Sequence, residues 1–192
     1  SAVRPRLRRP PDGSGTDAQI SVFRPAVVRP GDWNYLLAFA HRGTQFVDEA
    51  GVEVDPIAEV KQQAQTVLGP RAENYGSVAA DSSTALLRGD ELVFTPWLDS
   101  AAFNPPIAAV RWEEPVHRVE FRFRVSGSVP RRLPGGVRVY LGGILLLAEL
   151  RFVVRLAEVG PGPGERSEVV RASPYRRIFA SYSRGDSDVM RR

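Results

Sequence analysis

The chain has 192 residues, a formal net charge of +4 and 43% hydrophobic side chains, enough apolar content for a sizeable core and too much for wholesale disorder. It contains no cysteine, which excludes a disulfide framework, thiol catalysis and any Cys-ligated zinc or iron–sulfur centre. Of its 26 basic residues only Lys61 is a lysine; the arginines are scattered along the sequence rather than clustered with aromatics, so nucleic acid is not an expected partner.

Residues 1–18 are Arg-, Pro- and Gly-rich and aperiodic, the composition of a flexible arm. No apolar run follows this basic start, so it does not read as a secretory signal. The longest apolar stretch, near Gly142–Leu150, is broken by Glu149 and is too short to span a bilayer. A cytoplasmic protein without a membrane partner is expected.

From residue 19 to 158 the pattern predicts an antiparallel β-sandwich with one amphipathic helix. Gln19–Val28 and Trp33–His41 read as strands around a Pro-Gly-Asp turn. Pro25 in the first of them marks a sheet edge or a bulge. Asp55 as N-cap, Pro56 at the first helical position and Gly69 as stop predict a helix between them. Ile57, Val60, Ala64, Val67 and Leu68 would form its apolar face, opposite Glu59, Lys61, Gln62 and Gln63. Thr84–Leu98 then reads as two short strands around Arg88-Gly89-Asp90, followed by a strand over Ile107–Trp112.

The cleanest alternation is His117–Val125. Val119, Phe121, Phe123 and Val125 point one way, and Arg118, Glu120, Arg122 and Arg124 the other. Strands at Val137–Leu141 and Ile144–Leu156 complete a set of about seven or eight. In the last, Leu146, Ala148, Leu150, Phe152, Val154 and Leu156 are expected on one face. One wet and one buried face per strand is the antiparallel pattern. Residues 159–174, with alternating Gly and Pro, read as a linker.

Few residues carry an obvious chemistry. His41 and His117 have no partners at metal-ligand spacing, so no metal site is expected and both read as ordinary strand-end histidines. No Gly-x-Ser-x-Gly elbow is present. The Gly-Pro repeat is no phosphate cradle, because proline removes the amide donors such a loop needs. Asp48, Glu49, Glu53 and Asp55 crowd one region in no calcium-loop spacing, and a solvated acidic loop is expected. Trp33, Trp97 and Trp112 fall near strand ends, where sandwiches place aromatics that bind sugars or peptides; the competing reading is core packing.

The tail carries the one functional accent. Arg176 and Arg177 precede the apolar pair Ile178-Phe179, then Ser181-Tyr182-Ser183, two further residues and Asp186. Asp188 stands at a helix start, with Val189 and Met190 behind it. This stretch, residues 175–192, resembles the first strand, loop and helix start of a TIR (Toll/interleukin-1 receptor) domain, as bacterial members of that family open. The resemblance implies the start of a flavodoxin-like α/β domain, truncated here, with the chain ending just inside a second domain. It implies further that Ser181, Tyr182, Arg184 and Asp186 would border a nucleotide pocket, with NAD as a substrate of a longer protein. The family's catalytic glutamate lies further on, so this chain is expected to have no catalytic residues and no cofactor of its own. The expected function is therefore a non-catalytic sensing, recruitment or self-association module upstream of a TIR effector, in bacterial immune signalling by analogy. Its partners would be a second copy or another protein. The alternative is a free-standing sandwich that binds a sugar or a peptide.

Overall fold

The computed structural model describes residues 15–48, 50–126 and 129–157. The chain divides into two units, Ser1–Glu158 and Val159–Arg192; the linker and the TIR-like stretch lie in the second, outside the described residues. The first contains one α-helix and twelve strands among those residues. In chain order the strands are β1 (Ala18–Pro25), β2 (Val27–Val28), β3 (Trp33–Arg42), β4 (Phe46–Val47) and β5 (Glu53–Val54). After helix α1 (Pro56–Leu68) come β6 (Tyr75–Asp81), β7 (Glu91–Leu98), β8 (Ala101–Asn104) and β9 (Ala108–Arg111). The long strands β10 (Val116–Val125), β11 (Arg132–Leu141) and β12 (Leu145–Leu156) close the set.

They form two five-stranded sheets, β6-β1-β3-β10-β8 and β2-β12-β11-β7-β9, and a small β4–β5 ribbon. All the long pairings are antiparallel, and only the two-residue β2 runs parallel to its neighbour β12. The inward residues of the two sheets meet in one core: Ile20, Leu36, Phe121 and Phe123 from the first, Phe94, Val139, Leu150 and Val154 from the second. This is the predicted antiparallel sandwich with one helix. Among the described residues no helix is long and apolar enough to cross a membrane.

Strand β3 is buried on both faces from Leu36 to His41. One face meets the opposite sheet; on the other, Leu37 and Phe39 pack with Val60, Ala64 and Leu68 of α1 and with Val116. The helix is capped as expected: Asp55 accepts the Ile57 and Ala58 N–H groups at 3.0 and 3.1 Å, and Gly69 leaves it at φ 55°. Ile57 departs from the expected apolar face and is exposed. The stripe that docks is the i, i+4 row through Val60, Ala64 and Leu68, and Ile57 sits to one side of it.

Other departures are local. Strand β1 lies inside its sheet, and Pro25 ends it rather than marking an edge. The expected strand before Arg88 is reduced to a single bridge between Thr16 and Leu86. In β12, Tyr140 pairs with Leu146 while Val139 pairs with Ala148. The extra residue is Leu147, and this bulge reverses the alternation, so Leu147 is buried and Leu146 exposed. At the β7–β11 contact a side chain on Gly136 would stand 2.8 Å from Trp97 Nε1, so only glycine lets the indole lie against β11.

Candidate functional site

The sheet β6-β1-β3-β10-β8 has an outer face that α1 covers only in part. Pairing between β1 and β3 stops at Phe23–Leu37. The next outward position on β1 is Pro25, which has no N–H to give. Beyond it the strands part, and the chain turns through Ala26 and Val27. The backbone of Tyr35, left without β1, is held instead by Tyr75 from β6. The Tyr75 hydroxyl donates to the Tyr35 carbonyl at 3.1 Å and accepts the Tyr35 N–H at 3.3 Å. Burial raises the Tyr75 pKa, which keeps this donor protonated.

The opening so made is a cleft of about 540 Å³, lined by Pro25, Ala26, Val27, Asp32, Trp33, Asn34, Arg71, Asn74 and Tyr75. Trp33 is 48% exposed in it. A tryptophan so open on a sheet face is unusual, because burying a ring of that size is among the larger gains a core can make.

Arginines gather around the aromatics. Register places Arg122 beside Tyr35 and Arg124 beside Trp33. The Arg124 guanidinium lies 5.2 Å from the Trp33 ring centre, and Arg122 lies 5.1 Å from that of Tyr35 while donating to its hydroxyl at 2.8 Å. Arg71, from the 3-10 segment Gly69–Asn74 after α1, reaches within 5.9 Å of the same tyrosine ring. Such stacking holds a guanidinium in place and leaves its edge N–H groups for a ligand. Among the described residues none of Arg71, Arg122 and Arg124 has an ion pair with a carboxylate; Glu120, on the same face, pairs with Arg118 at 3.0 Å.

A further cation lies on the inner face of the same sheet, in phase with Ile20 and Val22 and away from Trp33. Arg24, one residue before Pro25, is half-buried, and its Nε is shielded from solvent without a hydrogen-bond partner. Burial first, and then the charge of Arg155, lower its pKa. The acid among the lining residues is Asp32.

The two histidines do different work. His41 stands near the end of β3, as its sequence position implied, but β3 is the central strand of its sheet and the ring is fully buried. Its Nδ1 lies 2.8 Å from the Arg42 carbonyl, which can only accept, so Nδ1 carries the proton. Nε2 is then the acceptor for the Ser21 hydroxyl, also at 2.8 Å. A serine–histidine pair of this geometry is half of a nucleophilic triad, but here its members are 8% and 0% exposed. A substrate carbonyl could not reach Ser21, and the pair serves to satisfy two buried polar groups. His117 Nε2 accepts the N–H groups of Glu113 and Glu114, both at 3.0 Å, and fastens that turn.

The remaining sequence candidates are structural or lie elsewhere. Trp112 is buried and Trp97 half-buried; of the three tryptophans, Trp33 is the one that lines this cleft. Asp48 accepts the Ala50 and Val52 N–H groups in a tight loop, and Asp55 caps α1. Ser181, Tyr182, Arg184 and Asp186 lie outside the described residues. The aromatic–arginine cluster was half legible: Trp33 and Tyr35 at i, i+2 share a face, and so do Arg122 and Arg124. What joins the pairs is β3–β10 register, and what adds Tyr75 and Arg71 is long-range folding. Compared with protein-family models, curated proteins and solved structures, the chain has no match.

Proposed function

We propose that the sandwich is a non-catalytic sensing module whose input is the Trp33 cleft and whose output is a TIR effector beginning near Arg176. The observation that carries the input half is the exposed Trp33 in a cleft that Arg71 lines, with the Arg124 guanidinium stacked over its ring. The output half rests on the resemblance of Arg176–Arg192. In this reading the protein works in the cytoplasm of a bacterium, and occupancy of the cleft changes association with a second copy or another protein. Clustering then governs NAD cleavage by the effector.

The experiment is NAD cleavage by the gene product as its source cells make it, compared with a Trp33→Ala, Arg124→Ala double variant of unchanged circular dichroism. Cleavage whose dependence on protein concentration changes in the variant is the expected result. A wild-type protein that cleaves no NAD at any concentration would falsify the effector half. The same cleft would then belong to a free-standing binding protein, the second reading, for a ligand such as a sugar or peptide.

A further inference from the structure

We propose that the Trp33 cleft takes up a nucleoside phosphate, its base stacked on the open face of Trp33 and its phosphate held by the surrounding arginines. This rests on the reading of the cleft as the module's input. Arg124 stands over the Trp33 ring at 5.2 Å, and the residue Trp33 still keeps 48% of its surface exposed. A planar group can therefore occupy the free side and complete a guanidinium–indole–base stack.

The charge chooses among planar ligands. Arg71, Arg122 and Arg124 are held in place by Trp33 and Tyr35; among the described residues none has an ion pair with a carboxylate, and only Arg122 has the charge of Glu120 beside it. Guanidiniums that are oriented but unpaired match a phosphate, which accepts two parallel N–H groups from each fork. A neutral sugar would leave that charge unanswered. Asp32 fits as well, since a carboxylate in the lining can accept from the vicinal hydroxyls of a ribose. Asn34, also in the lining, donates its side-chain amide to the Asp32 carbonyl at 3.0 Å.

Two other anionic partners fit less well. An extended acidic peptide would dock by adding a strand to β3 where β1 ends. The Tyr35 N–H and C=O that it would need are already taken by the Tyr75 hydroxyl. A single strand of nucleic acid needs successive open rings, and Tyr35 is half-buried beneath Arg71 and Arg122. The cleft's volume of about 540 Å³ suits one small molecule.

The test is calorimetric titration of the whole chain with AMP, adenosine, inorganic phosphate, glucuronate and an eight-residue oligothymidylate. AMP is expected to bind more tightly than adenosine or phosphate, with affinity falling as salt rises. Trp33→Ala should weaken AMP at least about tenfold, and Trp33→Phe much less, because stacking needs the ring. Arg71→Ala with Arg124→Ala should weaken AMP and leave adenosine unchanged. All three sets of substitutions fall on surface side chains, and thermal melts confirm that the variants are folded. No AMP binding at millimolar concentration by folded wild-type protein overturns the proposal, as does tighter binding of glucuronate or the oligonucleotide. If the cleft variant still alters NAD cleavage while AMP does not bind, the ligand class falls and the sensing reading stands.

Discussion

Pro25 has no N–H to donate, and the consequences of that single absence run through the candidate site. The ladder between β1 and β3 ends one outward position before it. A tyrosine from the far side of β1 then crosses to hold the exposed peptide of Tyr35, and the gap becomes a cleft. At the same scale the histidines set a pH dependence. Burial lowers the pKa of both His41 and His117 in the folded chain. The Arg42 carbonyl and the nearby glutamates oppose this without reversing it. As pH falls through the unfolded value of about 6.5, the unfolded chain takes up protons that the folded one refuses. Stability is therefore full above that value and declines below it, until the folded groups also titrate. Urea unfolding between pH 8 and 5 should show the midpoint falling on the acid side. His41→Gln, which retains a donor and an acceptor, should flatten part of that fall; an unchanged slope would mean that His41 is not the sensor.

At the scale of elements, helix α1 decides what the outer face of its sheet can do. Val60, Ala64 and Leu68 cover Leu37 and Phe39 and make that half of the face structural. The other half, with Trp33 and Tyr35, stays open. Truncating Leu68 to Ala removes most of a buried side chain and should cost about 2–5 kcal/mol. The denaturation midpoint should fall with little change in m-value. The helix was legible because its cap, first-turn proline and terminal glycine are local signals. Strand β10 was legible because one face is dry and the other wet. Strand β6, with mixed burial and a Gly-Ser-Val-Ala-Ala sequence, has no such contrast and gave no signal. The bulge at Leu147 was equally silent. A run of three leucines reads the same in either phase, and only pairing with Val139 and Tyr140 fixes which one is buried.

For the molecule as a whole, charge that is dispersed in sequence is gathered by topology. Arg122 and Arg124 read as a wet strand face, and Arg71 lies on a segment after the helix. Register sets the first two beside Trp33 and Tyr35, and the docking of α1 brings the third to the same tyrosine. The sandwich fold was thus readable from alternation, whereas the site depended on contacts between distant residues, as sites on scaffold folds commonly do. The resemblance of the tail to a TIR opening supplies the proposed output, and this cluster supplies the proposed input. The Ser21–His41 pair is buried and closed to substrate.

Trp33 stands exposed beside the Arg124 guanidinium, and quenching of tryptophan fluorescence reads this directly. Trp112 is buried and Trp97 half-buried, so Trp33 should dominate the quenchable emission. The arginines around it should concentrate an anionic quencher. Iodide should therefore quench the protein more strongly, relative to neutral acrylamide, than it quenches free tryptophan. The excess should fade as salt rises and vanish in Trp33→Phe. Quenching by iodide that is no stronger than acrylamide predicts, or that survives in Trp33→Phe, would contradict the account.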